Sequence, residues 1–317
     1  MAYDLPVYLF TGFLEGGKTH MIQESMESPQ FNTGEKTLII QCEEGIDELD
    51  ISTFNGKNVY LETVENEEDL TPDLLGAMAK KHKLDRVLIE YNGTWMLNTL
   101  YNAMPQNWVI YQQMMFADAN TFINYNLNMR QLMVDKLMNA ELVVLNRTPA
   151  SIDKESIHKI VRGCSRRAQI SYDYPDGHVE ADNIEDPLPF DLNAPLVEIG
   201  DEDYAVWYRD LTEELQAWDG KTVRFKGIVL RDPKLSKSAL LVGRHVMTCC
   251  ANDITYSPLV CNFAGNVPYK TRDWILVTAK IKVEKHKLYA NRPGPVLYAT
   301  EECPLTAKPD NEVATFY

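Results

Sequence analysis

Eight residues near the N-terminus constrain the fold more than any other stretch of the chain: Gly12-Phe-Leu-Glu-Gly-Gly17-Lys18-Thr19. Their spacing is that of G-x-x-x-x-G-K-[ST], a glycine loop whose backbone N–H groups wrap phosphate oxygens. The surroundings fit, with an apolar run over 5–11 leading in as a strand and a helical pattern from 18 leading out. A helix N-terminus at that point adds a dipole favourable to anions. Gly12, Gly16 and Gly17 leave room for the backbone to curl, the Lys18 ammonium reaches the β- and γ-phosphates, and the Thr19 hydroxyl is placed to bind Mg²⁺. Glu15 and His20 complete the candidate phosphate-side contacts. A carboxylate inside such a loop repels phosphate unless it points away.

The pattern around this loop repeats its strand-then-helix order. Strands are expected over 5–11, 37–41, 58–64, 86–90, 108–116 and 141–145, and helices over 18–25, 74–83, 95–103, 128–139 and 154–162. Such alternation implies an α/β domain with a mainly parallel sheet covered on both faces. Ligands then bind beyond the carboxyl ends of the strands. Pro175, Pro187, Pro189 and Pro195 among acidic residues and Asn mark a linker. A helix over 204–218 follows, then strands over 222–230, 239–248, 259–263, 274–283 and 287–290, which suit a small OB-like β-barrel. The expected division is a phosphate-binding domain over 1–175, a linker over 176–200 and a helix-plus-β domain over 201–317.

At 317 residues, 45% hydrophobic and 24% charged, the chain has the balance of a soluble two-domain protein. A formal charge of −15 opposes nucleic-acid binding, which needs a basic footprint, so no nucleic-acid partner is expected. The N-terminus lacks a basic, apolar leader, and no apolar run approaches the ~18 residues of a membrane span. A cytoplasmic protein with reduced cysteines is expected.

Three further segments occur in a telling order. Cys42-Glu43-Glu44-Gly45-Ile46-Asp47-Glu48-Leu49-Asp50 follows the second strand, Val87-Leu-Ile-Glu90-Tyr-Asn-Gly93 ends the fourth, and Leu142-Val-Val-Leu-Asn146 ends the sixth. Together with the glycine loop they resemble the CobW-type GTPases over about 5–170, several of which handle metals or metal cofactors. The resemblance implies an Mg²⁺-dependent switch that hydrolyses GTP in preference to ATP and serves metal or cofactor handling or a transport partner, with dimers common among nucleotide-bound relatives. It implies catalytic roles for Lys18, Glu43 and Glu90, Mg²⁺ held by Thr19, Glu43, Asp50 and Glu90, a γ-phosphate contact from the Gly93 N–H, and base contact by Asn146. The residues agree independently: Glu90 ends a buried strand where a carboxylate can hold a metal through water. Glu43 and Asp50 can position water or metal, and Gly93 can order a switch.

The chain also departs from that family. Asn146-Arg147-Thr148-Pro149 has Arg in place of the motif's Lys and lacks its Asp, the acceptor of two guanine hydrogen bonds, which removes a main source of selectivity over adenine. The Cys-x-Cys-Cys metal motif is missing, since residues 51–70 contain no cysteine. A non-hydrolysing scaffold whose C-terminal domain engages a partner is the competing expectation.

Near the C-terminus, Gly220-Lys-Thr-Val-Arg-Phe-Lys-Gly227, Leu230-Arg-Asp232 and Gly243-Arg-His-Val-Met-Thr-Cys249-Cys250-Ala-Asn-Asp253 resemble the soluble part of a permease-associated family over about 218–305. That resemblance implies an integral-membrane permease as partner. His245, Cys249, Cys250, Asp253, Cys261 and Cys303 are ligand types for Zn²⁺, although adjacent cysteines on a strand face opposite ways. Burial as small hydrophobes is the other reading of these thiols. Met114, Met115, Met129, Met133 and Met138 read as core, and Trp207 and Trp218 as anchors of an interdomain helix.

Overall fold

A computed structural model describes residues 4–247 and 254–316. The chain forms two compact units, Met1–Ile184 and Glu185–Tyr317.

The first unit runs β1 (Leu5–Thr11), α1 (Lys18–Glu27), β2 (Thr37–Gln41), β3 (Val59–Thr63), α2 (Pro72–Lys81), β4 (Arg86–Glu90), α3 (Leu97–Ala103), β5 (Trp108–Asp118), α4 (Phe122–Asn128), α5 (Arg130–Leu137), β6 (Leu142–Asn146), α6 (Lys154–Cys164), β7 (Gln169–Asp173) and β8 (Val179–Ala181). Its eight-stranded sheet has the order β3-β2-β4-β1-β5-β6-β7-β8. Every pairing is parallel except β7 with β8. Side chains alternate across β1: Leu5, Val7 and Leu9 pack in a cluster with α2 and α3, whereas Phe10 packs with Ile22 and Met26 of α1. β4 is buried along its whole length, which is why it reads as an unbroken apolar run ending in Glu90. β1 therefore lies between β4 and β5, and the loop leaving it emerges beside the ends of both.

The helix expected over 128–139 is two helices. Met129 leaves the helical region at φ −130°, ψ 42°, so its apolar spacing with Leu132, Met133 and Leu137 spans a break. Met115 and Met133 are fully buried and Met114 nearly so, but Met138 is half exposed.

The second unit contains β9 (Val197–Glu198), α7 (Tyr204–Glu213), a 3-10 turn at Leu215–Trp218, β10 (Thr222–Leu230), β11 (Ala239–Met247), β12 (Thr255–Asn262), β13 (Trp274–Lys285), β14 (Pro293–Ala299) and β15 (Val313–Thr315). In place of a five-stranded closed barrel it is a mixed seven-stranded sheet, ordered β15-β11-β12-β14-β13-β10-β9. β9 and β15 extend it, and β10 meets β11 over three residue pairs, Ile228–Gly243, Val229–Val242 and Leu230–Leu241. The strand expected over 287–290 is a 3-10 turn that ends with Ala290 and Asn291 at positive φ; β14 follows it. Pro293 and Pro295 disguise β14, but its pairing with β12 starts only at Val296, beyond both prolines. The stretch over 176–200, expected as a linker, supplies β8 to the first sheet and β9 to the second.

Trp207 and Trp218 are fully buried in the second unit's own core, with Phe225 4.7 Å from Trp207 between ring centroids. The Trp218 indole N–H donates to Asp210 Oδ2 at 2.8 Å. These tryptophans anchor the helix α7, as expected, and they fix it to the sheet of its own unit.

Candidate functional site

The glycine loop joins β1 to α1 and lies against β5. A Cβ on Gly12, whose φ is +121°, would stand 1.9 Å from the Phe116 carbonyl oxygen, so only glycine fits. A Cβ on Gly93 would stand 2.6 Å from Phe13 Cα and 2.7 Å from the Gly12 carbonyl oxygen. The segment after β4 thus rests directly on the loop's backbone. α1 begins at Gly17 with no side-chain cap and no acidic residue in its first turn. By contrast, Thr71 caps α2 and Asp153 caps α6. The first N–H groups of α1 are left for an anion.

Three strand ends converge on this point. Thr19 Oγ1 donates to Glu90 Oε1 at 2.5 Å, and Gln41 Nε2 donates to Glu90 Oε2 at 2.9 Å. Lys18 is buried, and its Nζ donates to the carbonyls of Gly12 and Phe13, each at 2.9 Å, and to Glu43 Oε2 at 2.6 Å. The other oxygen of Glu43 accepts from the Gly93 N–H at 3.4 Å. One carboxylate therefore bridges Lys18 and Gly93. Beside it the Cys42 thiol is pushed up to about 12, first by burial and then by the Glu90 and Glu43 carboxylates.

The structure brings Lys18, Thr19, Glu43, Glu90 and Gly93 together, but not Asp50. The Asp50 carboxylate accepts from the Ser52 N–H and hydroxyl, starting a 3-10 turn at Ile51–Thr53. Its pKa is held low by those hydrogen bonds. A hydroxyl and a carboxylate in contact are the hard oxygen donors that Mg²⁺ takes, so Thr19 and Glu90 fit that ion. Among the described residues no group of three or more His, Cys, Asp or Glu is arranged to hold a metal. Cys249, Cys250 and Asp253 lie outside the described residues. Cys261 and Cys303 are buried in the second unit's core, and burial raises both thiols.

On the base side, Asn146 Nδ2 donates to the Gly16 carbonyl at 2.5 Å. Arg147, at φ 54°, donates from Nη2 to the Glu15 carbonyl at 2.6 Å and from Nε to Asp118 Oδ2 at 2.8 Å. Sequence reasoning missed Asp118 and Asn120. Asn120 donates to Asp118 from its backbone N–H and side chain, and to the Arg147 carbonyl at 3.1 Å. Burial alone would raise the Asp118 carboxyl, but hydrogen bonds from Asn120 and Arg147 outweigh it and hold the pKa low. A cavity of about 510 Å³ opens beside these residues, lined among others by Glu15, His20, Asn146, Arg147, Asp173 and Tyr174. That lies within the ~300–1,000 Å³ of small-ligand sites. His20 is exposed there, with its Nε2 3.3 Å from Glu24.

A sequence profile described as CobW/HypB/UreG, nucleotide-binding domain, matches residues 6–171, more than half of the chain. The chain belongs to the CobW/HypB/UreG family. Its N-terminal unit is that family's P-loop nucleotide-binding domain, with the lysine, threonine and strand-end carboxylate in contact around the loop. The profile of the DUF1980 C-terminal domain matches residues 180–312. No curated protein matches the chain. Among solved structures, hydrogenase maturation factor HypB from Archaeoglobus fulgidus aligns at 14% identity and TM-score 0.38, covering 53% of this chain and 81% of that one. Zn(II)-bound YjiA GTPase from E. coli aligns at 17% identity and TM-score 0.42, covering 81% and 89%. A Zn(II)-bound triple mutant of YjiA aligns at 18% and 0.42, covering 86% and 92%.

Proposed function

We infer that this chain is an Mg²⁺-dependent switch that binds and hydrolyses a nucleoside triphosphate, GTP in preference to ATP. The observation that carries the reading is the Thr19–Glu90 contact of 2.5 Å beside a buried Lys18 at an uncapped helix N-terminus. Mg²⁺, when bound, would supply positive charge against the negative charge of the phosphates. Thr19 and Glu90 hold its position, and the N–H groups from Gly12 to Thr19 bind the phosphates. Lys18 exchanges Glu43 for phosphate oxygens and stabilises charge as the bond to the leaving diphosphate lengthens. Glu43, once released, orients the attacking water, and the Gly93 N–H turns to the γ-phosphate. Asp50 joins only if its segment rearranges with nucleotide. Turnover is slow, because no arginine of this chain is assigned to the transferring phosphoryl group.

The output is regulation of a metal- or cofactor-handling client or of a membrane permease, with a homodimer as one working form. Among the described residues no helix is long and apolar enough to cross a membrane. The second unit is read as an OB-like partner-binding module. Support comes from the mixed pairing of β10 to β14 and the three-pair contact of β10 with β11.

Single-turnover hydrolysis of GTP with Mg²⁺ tests the reading. Wild type cleaves GTP above background, and Lys18→Ala loses on the order of 10²-fold or more, as removal of transition-state charge stabilisation predicts. Equal rates for the two proteins contradict it. They would favour the scaffold alternative, in which the Lys18–Glu43 pair keeps the loop closed.

A further inference from the structure

We propose that Asp173 supplies the base-reading carboxylate that the Asn146-Arg147-Thr148-Pro149 segment lacks, and so makes the pocket selective for guanine. The inference rests on the nucleotide-binding reading above and names what sets its base preference.

The remainder of that segment is in working order. Asn146 is tied to the phosphate loop through the Gly16 carbonyl, and Arg147 through the Glu15 carbonyl. What is missing is an acceptor for the two donors on guanine's edge, N1–H and the 2-amino group. The last registered pair between β6 and β7 is Leu145 with Tyr172, so Asp173 stands level with Asn146 on the adjacent parallel strand. Adjacent strands lie about 4.8 Å apart. The Thr148 N–H donates to the Asp173 carbonyl at 2.9 Å, which pins the eroded segment to this strand end. Asp173 lines the same cavity as Asn146 and Arg147. Its Oδ1 accepts from the Ser171 hydroxyl at 2.8 Å, which orients the carboxylate, and its Oδ2 has no hydrogen-bond partner among the described residues.

Neighbouring carboxylates are engaged or lie on exposed loops. Asp118 has both oxygens occupied, by Asn120 and by Arg147. Asp176 is bonded to His178, and Glu24 faces His20 on the exposed side of α1. Glu15 belongs to the phosphate loop, and Asp47 sits in the exposed segment after β2. Among the described carboxylates that line this cavity, Asp173 alone combines a fixed strand-end position with an oxygen left for a ligand. A carboxylate accepts both guanine donors in parallel, whereas adenine offers one donor and sets a lone pair at N1 against the charge. A site built to pair such donors rejects the analogue lacking them strongly.

The test is calorimetric binding of GDP, inosine diphosphate, xanthosine diphosphate and ADP, with Mg²⁺, to the full chain and to Asp173→Asn and Asp173→Glu, each checked for an unchanged unfolding midpoint. Wild type should bind GDP at least about tenfold tighter than ADP, with inosine diphosphate between them. Asp173→Asn should lose about tenfold or more for GDP, leave ADP within about twofold, and gain xanthosine diphosphate, whose C2 carbonyl accepts from the new amide. Asp173→Glu should keep xanthosine diphosphate weak. Guanine preference that survives in Asp173→Asn overturns the proposal alone, as does a loss shared equally by GDP and ADP. Wild type that binds none of the four overturns the nucleotide reading as well.

Discussion

Lys18 is engaged within the chain, and its partner is the carboxylate that also meets the Gly93 N–H. Glu43 thus stands where both groups assigned to the γ-phosphate point, and phosphate must displace it. A hydrogen bond to a charged group contributes about 1.5–3 kcal/mol, and about 1.4 kcal/mol is tenfold in affinity. Glu43→Gln should therefore tighten binding of a non-hydrolysable GTP analogue on the order of tenfold while slowing GTP hydrolysis. Calorimetry and single-turnover rates together read both effects; unchanged affinity for the analogue would remove Glu43 from this competition. Cys42 gives a pH signature. Its thiol is raised from 9.0 to about 12, so the folded state keeps the proton that the unfolded chain releases. The stability from this group is complete below about pH 9 and is lost as pH rises toward 12. Cys42→Ala should flatten the alkaline fall of the urea midpoint over that window, a result absent if the thiol titrates normally. At this scale the lysine, the threonine and Glu90 were legible from motif spacing. Asp118 and Asn120 were not, because their roles depend on the backbone turn at Arg147, which sits at φ 54°.

Among the elements, the strand ends decide the site. β1, β2, β4, β5, β6 and β7 all run parallel, so their carboxyl ends deliver Gly12, Cys42, Glu90, Asp118, Asn146 and Asp173 to one edge of the sheet. Gly93 couples the segment after β4 to the loop after β1. Gly93→Ala would put a methyl group 2.6 Å from Phe13 Cα, and backbone at that distance cannot yield cheaply. Hydrolysis should fall about tenfold or more with GDP affinity within about threefold, because the clash displaces the switch segment and not the phosphate loop; equal hydrolysis would show that the close packing is not needed. The alternating strands and helices were readable because buried parallel strands are short apolar runs between helical periods. Two features escaped that logic. The break at Met129 preserves the apolar spacing of a single helix, and the prolines of β14 lie just outside its pairing with β12.

For the whole molecule, the N-terminal unit was legible in its sheet and its site, and the second unit only as β-rich. Its mixed pairing joins strands distant in sequence, such as β11 with β15, and no local pattern encodes that choice. The stability of the second unit should depend on its buried aromatics. Trp207→Ala removes a fully buried ring packed on Phe225 and Trp218, so a loss of about 3–5 kcal/mol is expected in chemical unfolding; a loss under about 1 kcal/mol would contradict that packing. The central claim concerns the other unit, and calorimetric titration of GTP, GDP and ATP with Mg²⁺ into wild type and Lys18→Ala tests it most directly. The account predicts micromolar guanine-nucleotide binding, weaker ATP binding, and loss of both in the variant. No heat of binding with any nucleotide, or binding indifferent to Lys18, would contradict it.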